Sequence, residues 1–340
     1  MMPTTERADY YRKLRSENLG PLWESLKGLV PSEPSPRAIP CCWHYETVRP
    51  RLIEAGALIT AEEAERRVLV LQNPGLDGLS QITDTLYAGL QLILPGEIAP
   101  AHRHSQSALR FVIEGQGAYT AVDGERTTMR PGDFIITPAW TWHDHGSAAE
   151  GPVVWMDGLD VPLVGFLRTG FREEHSEQAQ MVTRLEGTAA AKYGAGLLPI
   201  NQRTTHTSPI FNYPYERTRE ALHVLSRNSD PDPHGGFALR YVNPTNGDWA
   251  IPTIAASMRL LPAGFRTQPY RSTDGVVMVL VEGRVKATVA DQTFTLSPRS
   301  TLAVPAWQHH TLEASEDAVL FVYSDRPVHE KLGLWREQKN

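Results

Sequence analysis

The chain has 340 residues, of which 21% are charged, and its formal net charge is −6 without any basic block. That length suffices for two ordinary domains with a large hydrophobic core. An acidic chain without a basic patch predicts no nucleic-acid partner and no membrane partner. The longest apolar runs, such as residues 276–281, are far too short to span a bilayer.

Two further features predict a cytoplasmic protein. The first fifteen residues are polar and charged, unlike a secretory signal. The two cysteines, Cys41 and Cys42, are adjacent in sequence, which rules out a structural disulfide framework. We therefore expect the reduced cytoplasm as the natural setting.

The first 65 residues are predicted to form a helical N-terminal extension. Apolar residues at helical spacing indicate helices over residues 4–29, with a break at Gly20 and Pro21. A proline-rich connector follows at residues 31–40. Further on, Thr60-Ala61-Glu62-Glu63 has the spacing of a capping box, which predicts a short helical turn.

From residue 66 onward, short β-rich runs alternate with Gly, Pro and Asn/Asp turns, as in an antiparallel sandwich or barrel. Motifs in this region occur twice, 167 or 168 residues apart. For example, Thr137-Pro138-Ala139-Trp140 recurs as Val304-Pro305-Ala306-Trp307. We predict two similar β-domains at residues 66–180 and 236–340. A helical linker at residues 181–235, with a helix near residues 215–226, would connect them.

The first β-domain contains two pairs of histidines, His102 with His104 and His143 with His145. Side chains alternate faces along a strand, so each pair shares one face. If the two strands are neighbours, three or four imidazoles converge, and imidazole suits zinc, copper, iron and nickel. Scattered histidines are the alternative, and the repeated spacing disfavours it. The pattern predicts a metal site.

The second copy lacks the paired imidazoles. Tyr270 and Ser272 lie opposite His102 and His104, or positions 269 and 271 do if the register slips by one. His310 is the counterpart of His143 and has another histidine beside it. We therefore expect one metal centre per chain, in the first β-domain.

The motifs around these histidines resemble those of the cupin superfamily. The first cupin motif has a counterpart in Gly96, His102, His104 and Gly115, and the second in Gly132, Pro138 and His143. One departure is clear, because the usual glutamate ligand would fall at Ala108 or Leu109, and neither can bind a metal. The resemblance therefore implies a three-histidine site.

Over nearly its full length the chain resembles the bicupin gentisate 1,2-dioxygenase family, which includes salicylate, 5-nitrosalicylate and 1-hydroxy-2-naphthoate dioxygenases. The similarity covers the N-terminal region and the stretches at residues 102–111, 142–145 and 269–274. It implies an all-β core of two cupin jelly-roll domains and a homotetramer. It also implies one Fe(II) per chain, held by His102, His104 and His143.

The resemblance further implies an extradiol-type dioxygenase of aromatic catabolism. Its substrates would be O2 and gentisate (2,5-dihydroxybenzoate), cleaved between the carboxyl-bearing and hydroxyl-bearing carbons to give maleylpyruvate. The same cleavage of salicylate, a substituted salicylate or 1-hydroxy-2-naphthoate is an alternative. A non-catalytic ligand-binding cupin is an alternative of another class. Three imidazoles on an octahedral iron leave three positions open, and the site's positive charge favours an anionic substrate.

Other residues complete the predicted site. Arg110, if it continues the strand of His102 and His104, faces the same way and would bind the substrate carboxylate; a structural ion pair with a buried acid is the alternative. His145 is expected to act as a hydrogen-bond partner or proton relay, oriented by Asp157. The residues expected to contact substrate in addition are Gln91, Arg66, Tyr87 and Gly89.

Overall fold

The computed structural model describes residues 5–339 of the chain, which form two compact units divided between residues 35 and 36. The first unit contains α1 (Thr5–Ser16) and α2 (Leu22–Leu29), separated at the predicted break. Residue 4, where the predicted helix begins, lies outside the described residues. Neither helix has a buried residue. Polar contacts join them instead, since Glu24 accepts hydrogen bonds from Arg7 and Tyr11, each at 2.5 Å.

The second unit has six α-helices and 22 strands among its described residues. The helices are α3 (Tyr45–Leu58), α4 (Ala61–Ala64), α5 (Val161–Leu167), α6 (Thr188–Tyr193), α7 (Tyr215–Asn228) and α8 (Arg326–Lys331). The predicted turn is confirmed as α4, where the Thr60 side chain accepts a hydrogen bond from the Glu63 amide. The predicted linker helix is confirmed as α7. No helix in residues 5–339 is long and apolar enough to cross a membrane.

Twelve strands precede residue 214. They are β1 (Cys41–Trp43), β2 (Val68–Val70), β3 (Tyr87–Ile93), β4 (Ile98–His104), β5 (Ala108–Glu114), β6 (Ala118–Val122), β7 (Glu125–Thr128), β8 (Phe134–Thr137), β9 (His143–Ser147), β10 (Val153–Leu159), β11 (Arg172–Glu174) and β12 (Asn212–Tyr213).

Ten more strands follow. They are β13 (Phe237–Arg240), β14 (Ala255–Leu261), β15 (Tyr270–Ser272), β16 (Val276–Glu282), β17 (Val285–Val289), β18 (Gln292–Leu296), β19 (Thr301–Val304), β20 (His310–Ala314), β21 (Ala318–Ser324) and β22 (Glu337–Lys339).

The strands form two barrels of the same topology. In the first barrel a six-stranded sheet, β12-β8-β5-β10-β3-β2, faces a five-stranded sheet, β11-β4-β9-β6-β7. The second barrel repeats this arrangement as β1-β19-β16-β21-β14-β13 and β18-β17-β20-β15-β22. Each strand of one barrel has a counterpart at the same place in the other. The predicted fold class and internal repeat are therefore confirmed, while the predicted boundaries at residues 66, 181 and 236 stay a prediction.

Each barrel receives one edge strand from outside its own repeat. The strand β1, which precedes the first barrel in sequence, pairs with β19 of the second barrel, and β12 from the linker pairs with β8 of the first. The helices that follow are also equivalent. Tyr45 and Arg49 of α3 bond to Glu114, and Tyr215 and Arg219 of α7 bond to Glu282. The N-terminal extension is therefore not purely helical, because β1 belongs to a sheet.

The two six-stranded sheets pack against each other through a shared apolar core. Successive residues of a strand point to opposite faces, so Leu109 and Phe111 of β5 face this core, as do Val277 and Val279 of β16. Phe111 stacks on Phe321 with ring centroids 4.2 Å apart. This packing buries one face of the apolar strand at residues 276–281.

Candidate metal centre and active site

His102 and His143 lie directly opposite each other on the neighbouring strands β4 and β9. One ring nitrogen from each of His102, His104 and His143 lies within 4.8 Å of the others. Within residues 5–339, no other group of three His, Cys, Asp or Glu side chains is placed to hold a metal ion. The predicted convergence of three imidazoles is therefore present, and the three residues fit a metal ion.

The hydrogen bonds of the three rings favour the tautomer that binds a metal. Each Nδ1 faces a backbone carbonyl two residues away, at 3.2, 2.8 and 2.9 Å, and these carbonyls belong to Pro100, Gln106 and Thr141. A carbonyl only accepts, so Nδ1 carries the hydrogen and Nε2 keeps a free lone pair. The Nε2 of His143 is buried and has no hydrogen-bond partner among the described residues. A metal ion would satisfy it.

Arg66 makes a contact that opposes this tautomer at one ring. Its Nη2 lies 2.7 Å from Nδ1 of His102 and donates to the Pro100 carbonyl at 2.6 Å. An arginine always donates, so this contact requires Nδ1 of His102 to be the acceptor. The bond from His102 to Pro100 requires the opposite, and only that bond is compatible with a metal on Nε2. Metal binding would therefore leave Arg66 bonded to the carbonyls of Pro100 and Glu65.

Burial keeps the three imidazoles neutral. It is the main cause that lowers the pKa of His102 to about 3, with the charge of Arg66 next. Burial likewise lowers the pKa of His104 to about 4 and that of His143 well below its ordinary value. Because a metal binds the neutral ring, the site is prepared for a cation at neutral pH.

Arg110 reaches the site by a different route from the predicted one. The prediction of one continuous strand is wrong, because β4 ends at His104 and Arg110 lies on β5, in the other sheet of the barrel. Arg110 is nevertheless 4% exposed and faces the barrel interior, opposite Asp157 of β10. Its charge adds to the effect of burial on the pKa of His104 and His143. It therefore lies near the three imidazoles.

Two neighbours hold the Arg110 guanidinium. Its Nε lies 3.5 Å from the Asp157 carboxylate, and its Nη1 donates to the Thr137 hydroxyl. The ion pair weighed as an alternative is therefore present, and it leaves part of the guanidinium for another anion. Asp157 also accepts a hydrogen bond from Trp155 Nε1 at 3.0 Å. Burial raises the pKa of Asp157 to about 6, although Arg110 and Trp155 both oppose that shift.

His145 is buried, but Asp157 does not orient it, so that prediction is wrong. The hydroxyl of Thr120 lies 2.9 Å from Nδ1 of His145 and donates to the sulfur of Met129 at 3.3 Å. It can therefore accept from Nδ1–H of His145. Nε2 of His145 is then a free acceptor, and it has no partner among the described residues. Thr120, opposite His145 on β6, holds the ring instead of Asp157.

Comparison with known proteins agrees with this geometry. A family model described as "Cupin domain" matches residues 89–161. Gentisate 1,2 dioxygenase 1 of Aquipseudomonas alcaligenes is 53% identical over 99% of this chain and 97% of that protein. A gentisate 1,2-dioxygenase of Streptomyces sp. is 37% identical over 97% and 95%. The chain belongs to the gentisate 1,2-dioxygenase family.

Solved structures support the same family. A crystal structure of salicylate 1,2-dioxygenase from Pseudoaminobacter salicylatoxidans, described as an adduct with gentisate, is 34% identical to this family member. The structural alignment covers 100% of this chain and 96% of the salicylate dioxygenase chain, with a TM-score of 0.95. The predicted family, fold and enzyme class, a ring-cleaving dioxygenase, are confirmed.

A cavity of about 560 Å³ opens beside the metal site of this dioxygenase. Its wall includes His102, His104, Arg66, Phe171 and Arg172. The described residues that line this cavity do not include Gln91, Tyr87 or Gly89. These three lie on β3, on the strand face that carries Asp157 and Arg110 across the sheet. Their contact with substrate stays a prediction.

Gly89 is required by its surroundings. A Cβ atom at this position would lie 2.5 Å from Val68 Cγ1 and 2.6 Å from the Tyr87 hydroxyl. Real Cβ atoms do not approach so closely, so a larger residue would displace Tyr87 or Val68. The glycine therefore leaves the space that the Tyr87 ring occupies.

Several residues at the site were not identified from the sequence. Arg172 lies opposite His104 on β11 and forms ion pairs of 2.7 Å with Glu65 and Glu174 at the cavity mouth. Arg172 was missed because β11 lies outside the cupin motifs and its three residues, all charged and exposed, do not show the alternation of a strand. Thr120 contacts His145 through the pairing of β6 with β9, so a prediction of that pairing would have identified it.

Proposed function

We propose that the protein is an Fe(II)-dependent dioxygenase that cleaves gentisate between its carboxyl-bearing and hydroxyl-bearing carbons. The product would be maleylpyruvate. The observation that carries the proposal is the metal-ready triad of His102, His104 and His143, with the buried Arg110 beside it. The 53% identity to a gentisate 1,2-dioxygenase supports gentisate as the substrate.

His102, His104 and His143 would hold one Fe(II) per chain. Three neutral nitrogen ligands suit a divalent transition metal and leave open positions for further ligands. The ferrous ion, when bound, supplies the redox chemistry that lets dioxygen react with an electron-rich aromatic ring. The metal's charge and the guanidinium groups of Arg66 and Arg110 together exceed the negative charge of the Asp157 carboxylate that faces them. The pocket therefore attracts an anionic substrate.

Arg110 binds the substrate carboxylate in this proposal. A guanidinium presents several N–H donors in one plane, which match the two oxygens of a carboxylate. Thr137 and Asp157 hold two of its nitrogens, so the remaining donors keep a fixed direction. Asp157 thus acts by positioning Arg110 and not by orienting His145.

His145 is the candidate for handling the proton of a substrate hydroxyl. Thr120 fixes its Nδ1–H, and its ring centroid lies 6.0 Å from that of His143. The free Nε2 can accept a hydrogen bond or a proton inside the barrel. Arg66 would contact the substrate at the cavity wall. Gln91, Tyr87 and Gly89 would shape its inner end.

The relatives differ in the ring substituents of the substrates that they are named for. The relatives include a 5-aminosalicylate 1,2-dioxygenase of Comamonas sp., 33% identical over 94% of this chain. Cleavage of salicylate, a substituted salicylate or 1-hydroxy-2-naphthoate is therefore the second candidate. All of these share the carboxylate and ortho hydroxyl that the proposed site would recognise.

The test is oxygen uptake by the full-length, ferrous-loaded protein with a panel of these acids. We expect gentisate to be consumed fastest, with one O2 taken up per gentisate and the ring absorbance replaced by that of an open-chain product. The metal-free protein is the control. Oxygen uptake without ring opening, or no uptake with any acid by iron-loaded protein, would contradict the proposal.

We also propose a cytoplasmic homotetramer. Neither Cys41 nor Cys42 forms a disulfide, which suits a reducing compartment. The tetramer rests on the family resemblance. Light scattering of the purified protein checks its mass.

A further inference from the structure

The second barrel has a buried polar cavity of its own, of about 60 Å³. It lies where the first barrel has its metal centre, since Tyr270 pairs with His310 just as His102 pairs with His143. This pairing also confirms that Tyr270, and not its neighbour, is the counterpart of His102. The polar residues in its wall include Arg259, Tyr270, Ser272, Asp274 and His310.

Arg259 gives this cavity a positive charge that forms no ion pair among residues 5–339. It lies on β14 at the position that Gln91 occupies in the first barrel. Its Nε is buried and makes no hydrogen bond within residues 5–339, and burial lowers the pKa of its guanidinium. Removing a charged group from water without giving it a hydrogen-bonding partner is unfavourable. An anion in the cavity would remove that cost.

His310 adds a second polar group to the cavity wall. It is 5% exposed, and its Nδ1 makes no well-formed hydrogen bond among residues 5–339, although the Gln308 backbone lies close enough to oppose the lowering of its pKa. The neutral ring can donate one hydrogen bond into the cavity. The Tyr270 ring lies at right angles to it, with centroids 5.7 Å apart.

The acids nearby are already engaged. Asp274 accepts a hydrogen bond from Ser272 at 2.5 Å, and burial followed by repulsion from Asp325 raises its pKa. Asp325 accepts from the Gly275 amide and the Thr85 hydroxyl, each at 2.8 Å. Neither carboxylate forms an ion pair with Arg259 in residues 5–339, although the charges of Asp274 and Asp232 raise the pKa of its guanidinium. They reduce the positive potential without neutralising the guanidinium.

The size of the cavity limits its ligand. One water needs about 10–15 Å³ by this measure, so the space of about 60 Å³ holds roughly four to six atoms of water size. The Trp335 ring, stacked on Arg326 at 4.1 Å, forms part of the wall, and β22 pairs with β15. An aromatic acid is therefore too large. We propose that the second barrel binds a small monovalent oxyanion, of the size of formate or bicarbonate, through Arg259 and His310.

Formate binding to the iron-loaded, full-length protein tests this proposal. Formate binding would be measured by isothermal titration calorimetry and by thermal unfolding over a range of sodium formate concentrations. The salt of a bulky sulfonate, which is too large for the cavity, would keep the ionic strength constant. We expect saturable binding and a rise in Tm for wild type, and at least a tenfold weaker affinity in Arg259→Gln. The matched control is Arg284→Gln, an exposed arginine of the same barrel, which should bind like wild type.

Two further experiments distinguish formate binding at this site from binding at the active site and from the effects of a misfolded variant. In Arg110→Leu the formate affinity assigned to Arg259 should persist, because Arg110 belongs to the first barrel. Bromide soaked into wild-type crystals should give an anomalous peak beside Arg259, a result that needs no variant to fold. The proposal is overturned if wild type shows no saturable formate binding, if Arg259→Gln binds as tightly as wild type, or if no bromide lies beside Arg259.

Discussion

Replacing Arg110 with leucine should reduce gentisate turnover far more than it affects binding of an uncharged analogue. Arg110 is almost fully buried, so water cannot replace the hydrogen bonds it would give to a carboxylate. Loss of a charge-assisted hydrogen bond costs about 1.5–3 kcal/mol, and each 1.4 kcal/mol is about tenfold. We expect kcat/KM for gentisate to fall by roughly ten- to a hundredfold.

The same change alters the neighbouring carboxylate. Asp157 lies 3.5 Å from Arg110, and its pKa is already raised to about 6. Without the arginine that pKa rises further, so Asp157 takes up a proton near neutral pH instead of remaining a buried charge. The double variant Arg110→Leu/Asp157→Asn should therefore be about as stable as Arg110→Leu. A large difference in Tm between them would show that Asp157 stays ionised.

The assay measures steady-state oxygen uptake at equal iron content. Hydroquinone, which keeps both hydroxyls of gentisate but lacks the carboxylate, is the competitor. Its inhibition constant should be nearly the same in wild type and Arg110→Leu. Arg110→Lys keeps the charge without the planar fork and should have an intermediate kcat/KM. An unchanged kcat/KM for gentisate, or equal loss of hydroquinone binding, would refute carboxylate recognition by Arg110.

Three further predictions concern the metal, pH and the second barrel. His104→Ala should lower bound iron by roughly tenfold or more, while the exposed His223→Ala should not; equal iron contents would contradict the site. Because Asp157, with a pKa of about 6, is ionised only above that pH, kcat/KM should fall as pH drops through about 6, with iron checked at each pH. In Asp157→Asn, kcat/KM should not fall in this way at acidic pH, and a fall that persists would exclude Asp157 as its cause. His310→Ala should bind the same single iron per chain as wild type, and loss of iron would place a ligand in the second barrel.

The metal triad could be predicted because strand alternation places each histidine pair on one face, and the resemblance to the cupin motifs implies that the two strands are neighbours. Residues two apart on a strand share a face, and the spacing of both histidine pairs survives any choice of sheet order. The register of the repeat was accessible to within one residue, since matching turns left either Tyr270 or its neighbour opposite His102, and the pairing of Tyr270 with His310 decides between them.

The Arg110 and Asp157 predictions depended on contacts between strands. The chain turns at residues 105–107, and this turn carries Arg110 into the other sheet, where it reaches the same interior from the opposite side. A strand period cannot reveal such a turn when the residues around it are also β-like. The partner of His145 was missed for a similar reason, because Thr120 is distant in sequence and meets it only through the pairing of β6 with β9.

The alternation of side chains along a strand also explains why the second barrel can lack a metal site. On β16, Val277 and Val279 point into the core shared by both barrels, whereas Met278 and Leu280 point into the barrel itself. Met278 stands where the first barrel has Arg110. The residues that build the interface and those that would build a site therefore lie on opposite faces of the same strands. The interior of the second barrel can hold different chemistry while its outer face still covers Phe111.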